Sequence, residues 1–189
     1  MNADLLVYQA KAFYNAYIAL DQLSRDDSDT LLLLFAPLVV NGAFSVELAL
    51  KAILAKNQIE YGKEHNLLIL FQMLPKSFQQ ELWAYLIEKA PEYAGSEKGL
   101  DELVLLSNAF VDWRYAFEGK PVPAIESRFL AAFANAAVHT MFSYYNADLL
   151  PATKTESNNE IGQRFHENRE KCKEINLKMI QRKTKEHQL

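Results

Sequence analysis

Glu47 and Lys51 stand four residues apart inside NGAFSVELALKAIL (41–54), a stretch that is otherwise almost wholly apolar. On a helix that spacing puts a carboxylate and an ammonium on one face, in the order that favours an ion pair. A polar group within an apolar helix needs a partner or a task, because burying it unpaired is costly. Asn41 and Ser45 fall on a different face, where bonds to neighbouring backbone are the expectation. His65 and Asn66 open the next apolar run, HNLLILFQMLP (65–75). An imidazole in that place either caps a helix or sits half-buried in a loop; given a task, it binds phosphate when protonated or transfers a proton. Arg114 lies in NAFVDWRYAFEG (108–119) among Phe110, Trp113, Tyr115 and Phe117. A guanidinium with forked donors beside aromatic faces suits a phosphate and a splayed base. Glu118, four residues on, offers the competing arrangement, a structural pair that closes Arg114 off.

Other chemistries have less to stand on. The four histidines are scattered, H-E-x-x-H is absent, and a single cysteine cannot build a structural zinc site. His166 and Arg169 belong to half a motif with nothing to complete it. No glycine-rich loop cradles phosphate, and no G-x-S-x-G elbow is present. His139, among Ala136, Ala137 and Phe142, reads as a satisfied core or groove histidine. No metal and no cofactor is expected.

The elements that must position these residues read as helices. Leu6, Ala10, Phe13, Tyr17 and Leu20 recur at spacings of four and three, predicting a first helix over 3–24. A second, over 31–57, is apolar nearly all round and should be central, with Pro37 in its first turn or at a kink. A short third helix covers 66–74 and stops against Pro75. Ser77 and Gln80 form a capping-box pattern for a fourth over 78–90. A fifth, over 100–117, would stack Leu103, Ser107, Phe110, Arg114 and Phe117 along one side. A sixth, over 124–149, is alanine-rich, which permits close helix–helix approach. There is no repeat, no low-complexity segment and no strand-like alternation. The expected architecture is all-α, an up-and-down bundle of five to six helices over 1–150. A charged C-terminal helical extension follows over 151–189, where Phe165, Cys172 and Met179 repeat at seven.

Composition bounds the function classes. A chain of 189 residues, half of them hydrophobic and with only 6 Gly and 6 Pro, suits one compact helical domain plus an appendage. The lone Cys172 excludes an internal disulfide framework and fits a reducing cytosol. No basic segment precedes an apolar stretch at the N-terminus, and the longest apolar run, 31–40, is too short to span a bilayer. A cytoplasmic location with no membrane partner is therefore expected. Net charge is −4, but the 151–189 segment carries nine Lys/Arg against six Asp/Glu, which leaves the body at −7. An acidic body argues against broad, nonspecific duplex binding while leaving room for a local pocket that holds one phosphate. A solvated surface is the plainest account of both halves.

In this order, FSVELALKAIL, HNLLILFQMLP and RYAFE resemble the HEPN superfamily of helical nucleotide- and RNA-associated domains, specifically a prokaryotic HEPN-like protein, over roughly residues 5–150. The resemblance implies that Glu47 and Lys51 face the functional groove, that His65 lies near it, and that Arg114, Tyr115 and Glu118 complete the ligand-binding set. It also implies a two-fold homodimer. The HEPN ribonuclease signature places a His four to six positions after an Arg. Here Arg114 has Glu118, Gly119 and Lys120 there, and Arg128 has Ala132, Phe133 and Ala134. Only Arg182 and His187 fit, in the charged tail outside the bundle, and that match reads as accidental. Catalytic residues are thus unassigned.

Three functions follow. The first is a HEPN-like protein that binds RNA, a nucleotide or a protein partner without standard catalysis. Its setting would be toxin–antitoxin or phage defence, with an antitoxin or nucleotidyltransferase as partner. The second is a divergent metal-independent RNA endonuclease with His65 or His139 in place of the missing His. The third is a purely structural helical adaptor. An Arg114 open to a cleft near His65 separates the first two from the third. Light scattering at tens of micromolar should give a dimer mass, and a monomer would count against the resemblance on this point. Repeating the measurement on a chain ending at Pro151 reads whether the Phe165–Cys172–Met179 stripe contributes.

Overall fold

The helical periodicity translates into seven α-helices and one 3-10 turn among the described residues. The computed structural model describes residues 3–24, 28–94, 96–115, 118 and 123–145. The charged segment after Pro151, with its apolar stripe and the Arg182–His187 pair, lies outside them, as do Phe117, Gly119 and Lys120. The helices are α1 (Ala3–Ser24), α2 (Ser28–Lys56), α3 (Leu67–Met73), α4 (Lys76–Lys89), α5 (Ser96–Leu106), α6 (Ala109–Arg114) and α7 (Ser127–Tyr145), with the 3-10 turn at Pro91–Tyr93. No strand is present among the described residues, so this part of the chain is all-α.

α2 is the centre of the bundle and packs on α1, α3, α6 and α7. Its Leu34–Lys56 stretch is long and apolar enough to cross a bilayer, yet 78% of the apolar window is buried inside the protein. Pro37 sits well inside the helix, beyond its first turn, where it withholds one amide donor. Asn41 Nδ2 donates to the Pro37 carbonyl at 2.7 Å, and Ser45 Oγ to that of Gly42 at 2.7 Å. Gly42 marks the closest approach: a Cβ there would meet the Tyr17 ring at 3.0 Å and both Leu130 methyls at 3.1 Å. A side chain at 42 would push α1 and α7 away from α2. From α7, the buried Ala134, Ala136 and Ala137 keep the facing surface shallow.

The ends of α2 and α7 are tied together. Lys56 Nζ donates to the Tyr144 carbonyl at 2.7 Å, supplying a cation to the last turn of α7. Tyr145 Oη donates to the Ala52 carbonyl at 2.9 Å. Burial pushes that phenol up to about 12, so it stays a neutral donor at ordinary pH.

Two sequence expectations are corrected. The predicted fifth helix is two helices, α5 and α6, separated at Ser107 and Asn108. Ser107 Oγ bonds back to the Val104 carbonyl at 2.7 Å, while the Ser107 carbonyl turns away to accept Leu67 N–H at 2.7 Å. That carbonyl serves α3 and not its own helix, so Leu103 and Ser107 do not continue into Phe110 and Arg114 as one helical stripe. The Ser77–Gln80 capping box is not formed either. α4 starts at Lys76 after Pro75, without a side-chain cap. Gln79 instead reaches back to the Gln72 and Leu74 carbonyls at 3.0 and 2.8 Å.

α2 ends in a Schellman motif, with Gln58 N–H on the Ala55 carbonyl at 3.1 Å and Ile59 N–H on that of Leu54 at 3.0 Å. The motif places Gln58 at φ 58°, a left-handed conformation that costs an L-residue about 1–2 kcal/mol and glycine almost nothing. Gln58→Gly should raise the unfolding free energy by about 1 kcal/mol, read as a higher urea midpoint at unchanged slope. A lower midpoint would contradict the strain.

Candidate functional site

One carboxylate organises the site. Glu47, on α2, is 1% exposed, and its Oε1 accepts from Lys51 Nζ at 2.7 Å and from His65 Nδ1 at 2.9 Å. Lys51 is itself 7% exposed, so the pair lies in the interior. A buried carboxylate without cationic partners would carry a large desolvation cost. Its second oxygen, Oε2, is buried and meets no hydrogen-bond partner among the described residues. Tyr61 lies beside the pair, with its ring centroid 5.4 Å from Lys51 Nζ. Burial, then the charge of Glu47, holds the Tyr61 phenol above its usual range, so it is neutral there.

His65 is presented by the loop between α2 and α3. Its side chain is half exposed, with Nδ1 turned inward to Glu47. A carboxylate on one ring nitrogen fixes the tautomer when the ring is neutral: Nδ1 carries the proton and Nε2 is the acceptor. Glu64 Oε1 accepts the backbone N–H groups of His65 and Asn66 at 2.9 and 2.7 Å, which holds the loop. The helix cap is Asn66 and not His65: Asn66 Oδ1 accepts Ile69 N–H at 3.0 Å. Asn66 Nδ2 also donates to Asn108 Oδ1 at 3.1 Å, tying this loop to the start of α6.

α6 brings the aromatic floor. Phe110 stacks on Phe44 of α2 at 4.3 Å, and Phe13 of α1 meets Phe44 edge-on at 4.5 Å. The His65 ring lies 6.5 Å from Phe110. The Arg114 guanidinium sits 4.9 Å from the Phe110 centroid and 4.7 Å from that of Tyr115. Arg114 Nη2 donates to Tyr115 Oη at 3.0 Å. Arg114 and Tyr115 are exposed. No ion pair joins Arg114 to Glu118; Glu118 is exposed, and its backbone N–H closes a turn onto the Tyr115 carbonyl at 2.9 Å.

Of the residues singled out from sequence, Glu47, Lys51 and His65 therefore form one bonded group. Arg114 shares Phe110 as a neighbour with His65 and has Tyr115 against it, and no ion pair joins it to Glu118. Phe44 and Tyr61 were missed. Phe44 precedes Glu47 by three and Lys51 by seven, a same-face spacing that could have found it; no local signal marks Tyr61. His139 is not a core residue: it is exposed and stacks on Tyr85 at 3.9 Å, across the α4–α7 contact. Arg128, also exposed, pairs with Glu92.

Residues 38–121 match the family model of the HEPN domain, which is under half of the chain. No curated protein and no solved structure matches. The match begins within α2 and ends beyond α6. It takes in every residue of the bonded group together with Phe110 and Arg114, and it leaves out α1 and α7.

Lys51→Met leaves the Glu47 carboxylate buried with His65 alone and should cost about 3–5 kcal/mol of stability. Glu47→Leu combined with Lys51→Met removes both interior charges, and water can serve the half-exposed His65. That double variant should lie within about 1 kcal/mol of wild type, or above it. Urea unfolding of the three proteins decides the matter: a double variant as damaged as the single would mean that the pair matters for more than its own neutrality.

Proposed function

With the chain belonging to the HEPN superfamily over residues 38–121, we propose that it binds single-stranded RNA or a nucleotide at the surface around His65, Phe110 and Arg114, without the standard HEPN ribonuclease catalysis. The family points to a nucleotide- or RNA-related function. What carries the finer reading is Arg114: an exposed guanidinium resting on two aromatic rings, with the Tyr115 hydroxyl as its hydrogen-bond partner and, among the described residues, no carboxylate paired to it. Such a cation keeps donors for a phosphate, and the adjoining rings offer a surface on which a base can stack. In a body of net charge −7 it is a local site, suited to one or two phosphates and not to a duplex.

The reading without catalysis rests on the residues that follow each arginine. Within the family match, Arg114 has no histidine four to six positions after it. His65 has its Nδ1 committed to Glu47, which leaves Nε2 for contact with a ligand. A homodimer, an antitoxin or nucleotidyltransferase partner, and a role in toxin–antitoxin or phage-defence systems remain part of this proposal. The structural adaptor draws its support from the Glu47–Lys51–His65 group, whose hydrogen bonds are satisfied internally on Oε1.

Arg114→Ala should weaken binding of a fluorescein-labelled single-stranded oligoribonucleotide at least tenfold in an anisotropy titration. Because Arg114 is exposed and carries no ion pair to Glu118, stability should change by no more than about 0.5 kcal/mol. The oligonucleotide should stay intact with wild-type protein in the presence of a chelator. Metal-independent cleavage that disappears in both Arg114→Ala and His65→Ala would replace this reading with the endonuclease. Absence of any binding by wild type would leave the adaptor.

A further inference from the structure

Between α3, α4 and α5 the bundle leaves a cleft of about 520 Å³, the size of a small-molecule site. Phe71 of α3, Trp83, Ala84 and Ile87 of α4, and Leu100 of α5 give it an apolar lining. The Phe71 and Trp83 rings stand 5.9 Å apart at 48° and form an aromatic corner. Phe71 is buried and packs on Phe133 of α7 at 6.1 Å, which ties the corner to the core. The edge of the Trp83 indole rests on α5 at Gly99. A Cβ there would lie 2.8 Å from Trp83 Cζ2, closer than packed carbons approach, so the absence of a side chain at 99 sets where the ring sits.

The charge at this cleft is opposite in sign to that of the protein. Lys76 lines it, and among the described residues no carboxylate does, in a chain of net charge −4. Gln79 positions that ammonium. Its Nε2 donates to the Gln72 and Leu74 carbonyls at 3.0 and 2.8 Å, and its Oε1 accepts from Lys76 Nζ at 3.1 Å. The same amide ties the end of α3 to the start of α4, so two walls are fixed before any ligand arrives. A neutral amide takes one of the three ammonium donors and leaves the others for an anion.

We propose that this cleft binds a small planar aromatic acid, its ring system against Phe71 and Trp83 and its one carboxylate on Lys76. Two rings set at an angle favour a flat aromatic body over a flexible chain, because rings pack well both stacked and edge-on. One ammonium matches one negative charge, and lysine lacks the planar fork with which arginine grips a phosphate in two places. An apolar pocket with a few placed polar groups is the usual form of a small-molecule site. None of the lining residues belongs to the Glu47 group or to the surroundings of Arg114, so the proposal stands whatever binds there.

Titration of the full, 15N-labelled chain with 2-naphthylacetate, followed by NMR, tests it, because the protein has two tryptophans and Trp83 alone lines the cleft. The indole N–H signal missing from Trp83→Phe identifies Trp83. That signal should move as the acid is added to 2 mM, while the signal of Trp113, which packs on Phe35, should stay. 2-Naphthylacetamide has the ring without the charge, and octanoate the charge without the ring; each should bind at least fivefold more weakly. Lys76→Met should weaken the acid at least fivefold and leave the amide as it was. Ala84→Leu, which fills the cleft from an exposed position, should abolish binding of both. Neither position is buried, and thermal melts check that the variants fold. Arg114→Ala should leave the titration unchanged. An unmoved Trp83 signal at 2 mM, equal shifts of both tryptophans, amide or octanoate binding as tight as that of the acid, or indifference to Lys76→Met or Ala84→Leu would each overturn the proposal.

Discussion

The Glu47 carboxylate is the interaction on which the rest of the site depends. It is almost fully buried in the middle of the central helix, where a charge without partners is not sustainable. One partner, Lys51, comes from the next turn of the same helix and costs the fold nothing in topology. The other, His65, comes from a loop eighteen residues away. By accepting from that ring, Glu47 fixes the loop against α2. The loop then delivers Asn66 as the cap of α3 and, through the Asn66–Asn108 bond and the Leu67–Ser107 bond, sets where α6 begins. The position of Arg114 is thus inherited, step by step, from a carboxylate on another helix.

Interior and exterior polar groups divide the labour. Glu47 and Lys51 neutralise each other out of water, which makes them a specification of geometry more than a source of net stability. Arg114 is placed outside, above a floor of aromatic rings that continues through Phe44 to Phe13 on α1. Stacking holds the guanidinium without consuming its hydrogen-bond capacity, whereas a carboxylate partner would have consumed it. An acidic protein can in this way keep one usable cation at a defined place.

The central helix shows how apolar content and location are separate matters. Leu34–Lys56 has the length and hydropathy of a membrane span, and it satisfies them by packing against other helices. Gly42 at the closest approach and the alanines of α7 let the bundle close around it, and the interior ion pair faces the α2–α3 loop.

Periodicity in the sequence determined the class of the protein and the course of α1, α2, α3 and α7, because an apolar stripe at 3.6 residues is a local property that packing only ratifies. It also determined the Glu47–Lys51 pair, whose partners share one helix, and it carried the HEPN resemblance that the match over residues 38–121 bears out. What it could not determine was anything settled between distant segments. The break between α5 and α6 follows from a carbonyl that bonds to Leu67 and not within its own helix. The exposure of His139 follows from how α7 is turned against α4. The choice of His65 as the second partner of Glu47, and of Tyr115 over Glu118 as the partner of Arg114, was made in three dimensions. Each of these is a competition between a local bond and a distant one, and only the tertiary structure says which is within reach.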